Sequence, residues 1–254
     1  MKITFLGTGT SQGVPVIACP CAVCTSRDSK DKRLRSSILI THQHKNYIID
    51  TGPDFREQML RANVLTLQAI IYTHQHRDHV AGMDDIRAYN FFEDRAIDVY
   101  ATDVVQEELR RTFYYAFEEK RYPGTPEAIL HTITNTPFVV DGLTFIPVLV
   151  YHHKMPVYGY RIGNFAYITD ASRIEDDELQ KIKGVDTLVI NALRREKHIA
   201  HFTLEEALHM IERINPERAY LTHVSHQLGR YNDVSLELPP HVHLAYDGLE
   251  IETE

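Results

Sequence analysis

Apolar positions recur along this chain with two periods, two and about 3.6 residues, and each switch between them marks an element. Residues 1–6 (MKITFL) read as a strand that runs into the turn Gly7-Thr8-Gly9. Residues 36–41 and 45–50 read as a hairpin about a polar turn, broken by Thr51-Gly52-Pro53. A helix is predicted over 55–62, a short buried strand over 69–73 (AIIYT), a helix near 84–92 and a strand over 98–101. Residues 104–119 carry strong helical periodicity, with mixed charge continuing to Arg121 and Tyr122. The second half predicts strands at 138–140, 144–149, 159–162, 165–169 and 187–191, then a helix over 204–214 with Leu204, Ala207, Leu208 and Ile211 on one face. Strands at 218–222, 242–245 and 249–252 follow, the last two as a terminal pair about Asp247-Gly248. Strand runs with helices set into both halves predict an α+β chain: two mixed sheets face to face, covered outside by helices, an αββα sandwich. No repeat, low-complexity segment or linker divides it, so residues 1–254 are expected to form one domain.

Composition changes this picture little. The 27 basic and 35 acidic residues leave a net charge of −8, which argues against a broad nucleic-acid-binding face. An anionic substrate is still compatible, because bound metal ions can dominate the local field. The N-terminal stretch is too short and glycine-rich for a secretion signal, and no apolar run approaches a membrane span, so a cytoplasmic chain with no membrane partner is expected. The 3 cysteines, Cys19, Cys21 and Cys24, fall within six positions. An odd, tightly spaced set makes a poor disulfide framework; as thiols in a reducing compartment they suggest a metal.

Histidine is the unusual residue, with 15 in the chain. Thr73-His74-Gln75-His76-Arg77-Asp78-His79 comes directly after a buried strand and before a helix. A turn there can aim His74 and His76 at one point while Asp78 and His79 reach a second. Imidazole with carboxylate suits zinc, manganese or iron, and two such ions can activate one water between them. His42-Gln43-His44 and His241-Val242-His243 have no Asp-His continuation and are read as surface or core histidines. Gly7-Thr8-Gly9 with Gly13 has the wrong spacing for a dinucleotide fingerprint and reads as a tight loop at the site floor. Two further residues, Asp170 and His223, end apolar strand-like runs, and Asp50 ends a third.

His74-Gln75-His76-Arg77-Asp78-His79 resembles the signature of the metallo-β-lactamase superfamily, and the resemblance extends over nearly the whole chain. It implies that one metal takes His74, His76 and a later histidine, matched by His152, and that a second takes Asp78, His79 and His223. Asp170 would bridge the two, and Asp50 would orient the ligand loop without binding metal. Only one of His152 and His153 can reach the metal, since neighbours on a strand face opposite ways; the family's pattern points to His152.

Three thiolates need one more ligand to close a tetrahedral zinc site. If His223 turns to the metal pair, His226 can face the cysteine loop. This combination resembles the PhnP type, cyclic phosphodiesterases in which three cysteines and one histidine hold a structural zinc. His201 precedes a helix with Thr203 as N-cap and Glu206 completing a capping box. PhnP and transfer-RNA 3′-processing enzymes carry a similar histidine, so the resemblance implies that His201 is a general acid for the leaving group. With Asp78, it makes up the catalytic set. The resemblance thus implies two catalytic divalent ions, zinc or manganese, one structural zinc, and a small anionic phosphodiester, with a cyclic one expected, as substrate. The alternatives are a transfer-RNA-trimming endoribonuclease, a thioesterase or lactamase, and a zinc-stabilised binding module. A homodimer is left open.

Overall fold

The computed structural model describes residues 1–120 and 122–253. In chain order the strands are β1 (Lys2–Gly7), β2 (Ser37–His42), β3 (Lys45–Ile49), β4 (Ala69–Ile71), β5 (Ile97–Ala101) and β6 (Ala128–Thr132). They continue with β7 (Phe138–Val140), β8 (Leu143–His152), β9 (Met155–Ile162), β10 (Phe165–Ile168) and β11 (Arg173–Ile174). The last four are β12 (Thr187–Asn191), β13 (Arg218–Thr222), β14 (Val242–Leu244) and β15 (Glu250–Glu252). The α-helices are α1 (Phe55–Arg61), α2 (Arg77–Val80), α3 (Arg87–Glu93), α4 (Asp103–Thr112), α5 (Tyr114–Phe117), α6 (Asp176–Ile182), α7 (Leu204–Ile214) and α8 (Tyr231–Glu237).

Two mixed sheets result. One runs β15-β1-β2-β3-β4-β5-β6, the other β11-β8-β9-β10-β12-β13-β14, with β7 also paired to β8. Their facing sides bury Phe5, Tyr47, Phe145, Tyr160, Tyr167 and Val189 in a shared layer. Phe55, Met59, Val105 and Leu109 from α1 and α4 cover the first sheet's outer face. Leu179 and Ile182 of α6 and Ala207, Met210 and Ile211 of α7 cover the second. Apolar side chains spaced three and four apart give α7 its buried stripe. Thr203 accepts from the Glu206 N–H and Glu206 reaches back to the Thr203 N–H, which fixes the helix start. The architecture is the αββα sandwich expected.

Strands β3, β4, β5 and β6 run parallel, and so do β10, β12, β13 and β14. Their carboxyl ends therefore gather at one rim, where loops are free to carry function.

Two expected elements differ from the sequence reading. The helix expected over 104–119 is two helices, parted at Phe113, whose φ of −113° and ψ of 41° leave the helical region. Phe113 is buried with the outer layer of the first sheet, so packing of its ring overrides the periodicity. Arg121, read as part of that charged segment, lies outside the described residues. The expected terminal pair is also divided: β14 joins β13 in one sheet and β15 joins β1 in the other. Asp247 sits at this crossing and accepts from the Thr8 N–H, the Thr8 hydroxyl and the Leu34 N–H.

Candidate active site

The rim of parallel strand ends brings together residues far apart in sequence. Asp50 follows β3, His74 to His79 follow β4, Asp170 follows β10 and His223 follows β13. Asp50, Asp170 and His223 all hold left-handed backbone, with φ of 65°, 54° and 54°. Such conformations are costly for residues with a Cβ and cluster where geometry serves a site. His74 sits in the turn after β4, His76 caps α2, and Asp78 and His79 lie in its first turn.

Hydrogen bonds fix which nitrogen His74, His79 and His223 present. The Thr73 N–H and hydroxyl both donate to Asp50, at 2.9 and 2.8 Å. The Thr73 oxygen then accepts from His74 Nδ1 at 2.9 Å, which leaves the His74 Nε2 lone pair free. His79 Nδ1 donates to Asp50 Oδ2 at 2.7 Å and leaves its own Nε2 free. The Thr10 hydroxyl lies 3.3 Å from His223 Nε2, which leaves Nδ1 free. Asp50 thus orients the ligand loop and does not enter the cluster.

The free atoms face one another. Asp170 Oδ1 lies 3.0 Å from His223 Nδ1 and 3.4 Å from His79 Nε2, and Asp170 Oδ2 is 3.7 Å from His74 Nε2. Asp78 Oδ2 is 3.2 Å from His79 Nε2. Three sets of donor atoms converge: Asp78, His79, Asp170 and His223; His74, His76 and Asp170; and His152, Asp170 and His201. Asp170 belongs to all three. His74 Nε2, His79 Nε2, His152 Nδ1 and His223 Nδ1 are buried and accept no hydrogen bond. Lone pairs pointed at each other in a buried site repel unless a cation or a proton lies between them. The residues present therefore fit divalent ions well.

A proton takes the place of a cation at His79: burial disfavours charge there, yet Asp170, Asp78 and Asp50 hold it well above the usual histidine range. Burial likewise opposes charge on Asp170, and His223, His79 and His74 nonetheless hold it well below the carboxylate range. Burial pushes His74, His152 and His223 down, so they stand as neutral imidazoles. A metal ligand must have this form.

His152 and His153 are told apart. The His152 ring is 5.1 Å from the His76 ring and 4.5 Å from that of His201. His153 is exposed and donates its N–H to the Ser172 hydroxyl. The His152 nitrogen converges with Asp170 and His201, however, and not within one set with His74 and His76. His201 is buried, with its ring 4.8 Å from that of His223. Burial lowers it to about 3; Asp170 opposes this, and His223, His152 and His198 reinforce it.

Cys19, Cys21, Cys24 and His226 form a separate set. His226 Nδ1 is 3.4 and 3.3 Å from the sulfurs of Cys19 and Cys21. The Cys24 N–H and His226 bring the Cys21 thiol down to about 6, while burial pushes Cys24 up to about 11. A shared cation would even out that difference by stabilising each thiolate.

Of the other histidines, His42 ends β2 opposite Lys45, His44 lies in the β2–β3 turn, and His243 packs on Tyr220 at 5.2 Å. Thr73, Thr10 and Asn191 were not anticipated. Asn191 donates to the Ala171 carbonyl and accepts from the Ala171 N–H, bracing the residue after Asp170. A polar residue closing the apolar run of β12 is the signal that could have found it.

Comparison with known proteins adds to this geometry. A family profile described as β-lactamase superfamily domain matches residues 45–224. The chain is 41% identical over 253 residues to an octanoyltransferase of Porphyromonas gingivalis, covering 98% of this chain and 51% of that protein. It is 27% identical over 167 residues to a ribonuclease Z of Thermosynechococcus vestitus, covering 64% of this chain and 36% of that protein. The chain thus spans about half the length, or less, of these curated relatives. Among solved structures, a diphosphatase of the PhnP family superposes with a TM-score of 0.94 at 38% identity, over 100% of this chain and 98% of that one. Zinc-bound PqqB of Methylobacterium extorquens superposes with a TM-score of 0.80 at 19% identity over the whole of both chains, a likeness of fold.

Proposed function

The chain belongs to the metallo-β-lactamase superfamily, a hydrolase family, and within it to the PhnP family, and from that premise we propose that it hydrolyses a small, cyclic phosphodiester. The placement of His201 carries this reading: a buried imidazole with a ring-to-ring distance of 4.5 Å to His152 and 4.8 Å to His223, beside the converged donors. Hydrolysis of a phosphodiester expels an alkoxide, a poor leaving group that needs a proton. A thioester expels a thiolate, a better leaving group that would depend less on a proton from His201.

We assign His74, His76 and His152 to one divalent ion, zinc or manganese, and Asp78, His79 and His223 to another, with Asp170 shared. Cys19, Cys21, Cys24 and His226 take a structural zinc. Bound at the rim, the two ions supply Lewis-acid charge that makes water nucleophilic near neutral pH and offsets charge on the phosphoryl oxygens. The chain's own residues do the rest. Asp50 and Thr73 hold His79 and His74 in the required tautomers. Asp78 and Asp170 hold negative charge where cations gather. A phosphate anion beside His201 opposes the burial that lowers its pKa and so favours the protonated, donating form.

One observation favours a second reading. The 38% identical PhnP-family structure is of a diphosphatase, so a phosphoanhydride is the other substrate class to test. Phosphate is a better leaving group than an alkoxide and would depend less on His201. Acyl transfer is not carried over, because this chain accounts for 51% of the octanoyltransferase it resembles. The net charge of −8 argues against a transfer-RNA precursor.

The test is a panel assayed with the metal-loaded protein: bis(p-nitrophenyl) phosphate, ribose 1,2-cyclic phosphate, 2′,3′-cyclic nucleotides, a dinucleoside diphosphate, a thioester, a lactam and a transfer-RNA precursor. Turnover of cyclic diesters above all others is expected. Preference for the diphosphate establishes the second reading, and hydrolysis of the thioester or lactam alone overturns both.

A further inference from the structure

The cysteine set and the metal-ligand rim are joined by a short, tightly bonded stretch of backbone. His226 follows His223 by three residues, and the peptide between them is pinned. The Val224 N–H donates to the Thr8 carbonyl at 2.9 Å, and the Val224 carbonyl accepts from the Thr10 N–H at 3.1 Å. The Ser225 N–H donates to the Leu193 carbonyl at 3.0 Å. The same Thr10 presents its hydroxyl to His223 Nε2 at 3.3 Å. It therefore settles which nitrogen His223 turns toward Asp170.

Thr10 in turn stands at the root of the cysteine loop. Its carbonyl accepts from the Gly13 N–H at 2.7 Å, and Val14 and Arg33 exchange backbone hydrogen bonds at 2.9 and 2.7 Å, closing the loop's neck. The loop beyond that neck has little packing of its own. Its buried apolar residues are Val14, Val23 and Cys24, with Val16, Cys19 and Cys21 partly buried against them, while Ile17 is 95% exposed. So small an apolar cluster contributes little to the order of a loop of this length, and an ion that binds several of its side chains at once would add to the polar contacts that Asp28, Asp31 and Ala22 make with Asn232, Tyr231 and Arg230.

We propose that the cysteine set is a positioning device for His223: an ion held by Cys19, Cys21, Cys24 and His226 fixes the loop root, Thr10 fixes the His223 ring, and affinity at the Asp78, His79, Asp170 and His223 set depends on both. The proposal rests on reading the two sets as metal sites. Thr10 is then a positioning residue, one that acts through His223. Residues that orient a metal-binding histidine in this way are typically worth about 10–100-fold in metal affinity.

Metal binding itself, apart from activity, is the readout. Wild type, Cys21→Ser and Thr10→Val are loaded with zinc, their metal content is counted, and the weaker sites are titrated against a chromophoric chelator. Wild type is expected to hold about three ions per chain. Cys21→Ser is expected to lose the cysteine-set ion and to bind one of the remaining two about tenfold or more weakly. Thr10→Val is expected to keep the cysteine-set ion and show the same weakening at one other ion. Cys21→Ser losing one ion with the others bound as in wild type overturns the coupling while leaving the site assignments intact. Wild type without an ion at the cysteines overturns the assignment itself. If Cys21→Ser does not fold, Thr10→Val decides alone: unchanged affinity overturns the role of Thr10, and with it the coupling.

Discussion

Asp50 is fully buried and accepts from the Thr73 N–H, the Thr73 hydroxyl and His79 Nδ1, so both of its oxygens are committed to holding the ligand loop. Asp50→Asn keeps the shape but turns an N–H either toward the Nδ1–H of His79 and the Thr73 hydroxyl, which share Oδ2, or toward the Thr73 backbone N–H at Oδ1. One buried donor then faces another, and the imidazole is driven to rotate or change tautomer. Metal affinity is expected to fall about 10–100-fold with the secondary structure intact, as measured by chelator competition and circular dichroism. Affinity equal to wild type would mean that Asp50 has no hold on His79. His201 makes a different demand. His201→Ala is expected to lower turnover about 10²–10⁴-fold for diesters with alkoxide leaving groups. The loss should be far smaller for p-nitrophenolate, which departs without a proton. Equal losses for both substrates would reduce His201 to a binding contact.

At the scale of elements, α2 is a single turn, and its position depends on backbone passing close beside it. A Cβ on Gly52 would lie 2.3 Å from the Asp78 carbonyl oxygen, and one on Gly82 would lie 2.2 Å from the Gly52 carbonyl oxygen. Neither obstacle is a flexible side-chain end, so the helix carrying Asp78 and His79 must move. Gly52→Ala is expected to destabilise the fold by roughly 1–3 kcal/mol and to reduce bound metal. Denaturant unfolding of the metal-free protein isolates the first effect, and a midpoint equal to wild type would show that α2 can shift freely. The same elements show what could be read from the chain beforehand. Residues 69–73 were legible because an unbroken apolar run meets a histidine-rich turn, and α7 because stripe and capping box agree. Strand β6 was not, since its half-buried residues at a sheet edge show no clean alternation. Helices α6 and α8 were missed as well: each spans 7 residues, two turns at most, too few for a period to declare itself. The break at Phe113 depends on where one ring is buried, which only the assembled sheet decides.

Over the whole molecule, the proposed ligands come from both sheets: the β4 motif, held by Asp50, from one, His152, Asp170 and His223 from the other. The motif and the strand-end Asp170 and His223 could be named from sequence because each closes an apolar run. Thr10 could not, since its partner lies 213 positions away and only the packed sandwich brings them together. Under the proposed assignment, bound cations would clamp the two sheets together, and the bare protein carries buried, unpartnered nitrogens at His74, His79, His152, His201 and His223. A ligand that binds only the folded chain stabilises it by RT ln(1 + [L]/Kd), about 2.7 kcal/mol when free metal is a hundredfold above Kd. In a chain of this size each kcal/mol moves the melting temperature by about 2–4 °C. Chelation is therefore expected to lower Tm by about 5–10 °C for each ion removed, with recovery on adding zinc or manganese, as read by scanning calorimetry. His76→Ala should lower the metal-loaded Tm and leave the chelated Tm near that of wild type, because His76 is only half-buried. A chelated wild type that melts where the loaded protein does would mean that the converged donors do not bind ions across the two sheets, and the proposed chemistry would lose its foundation.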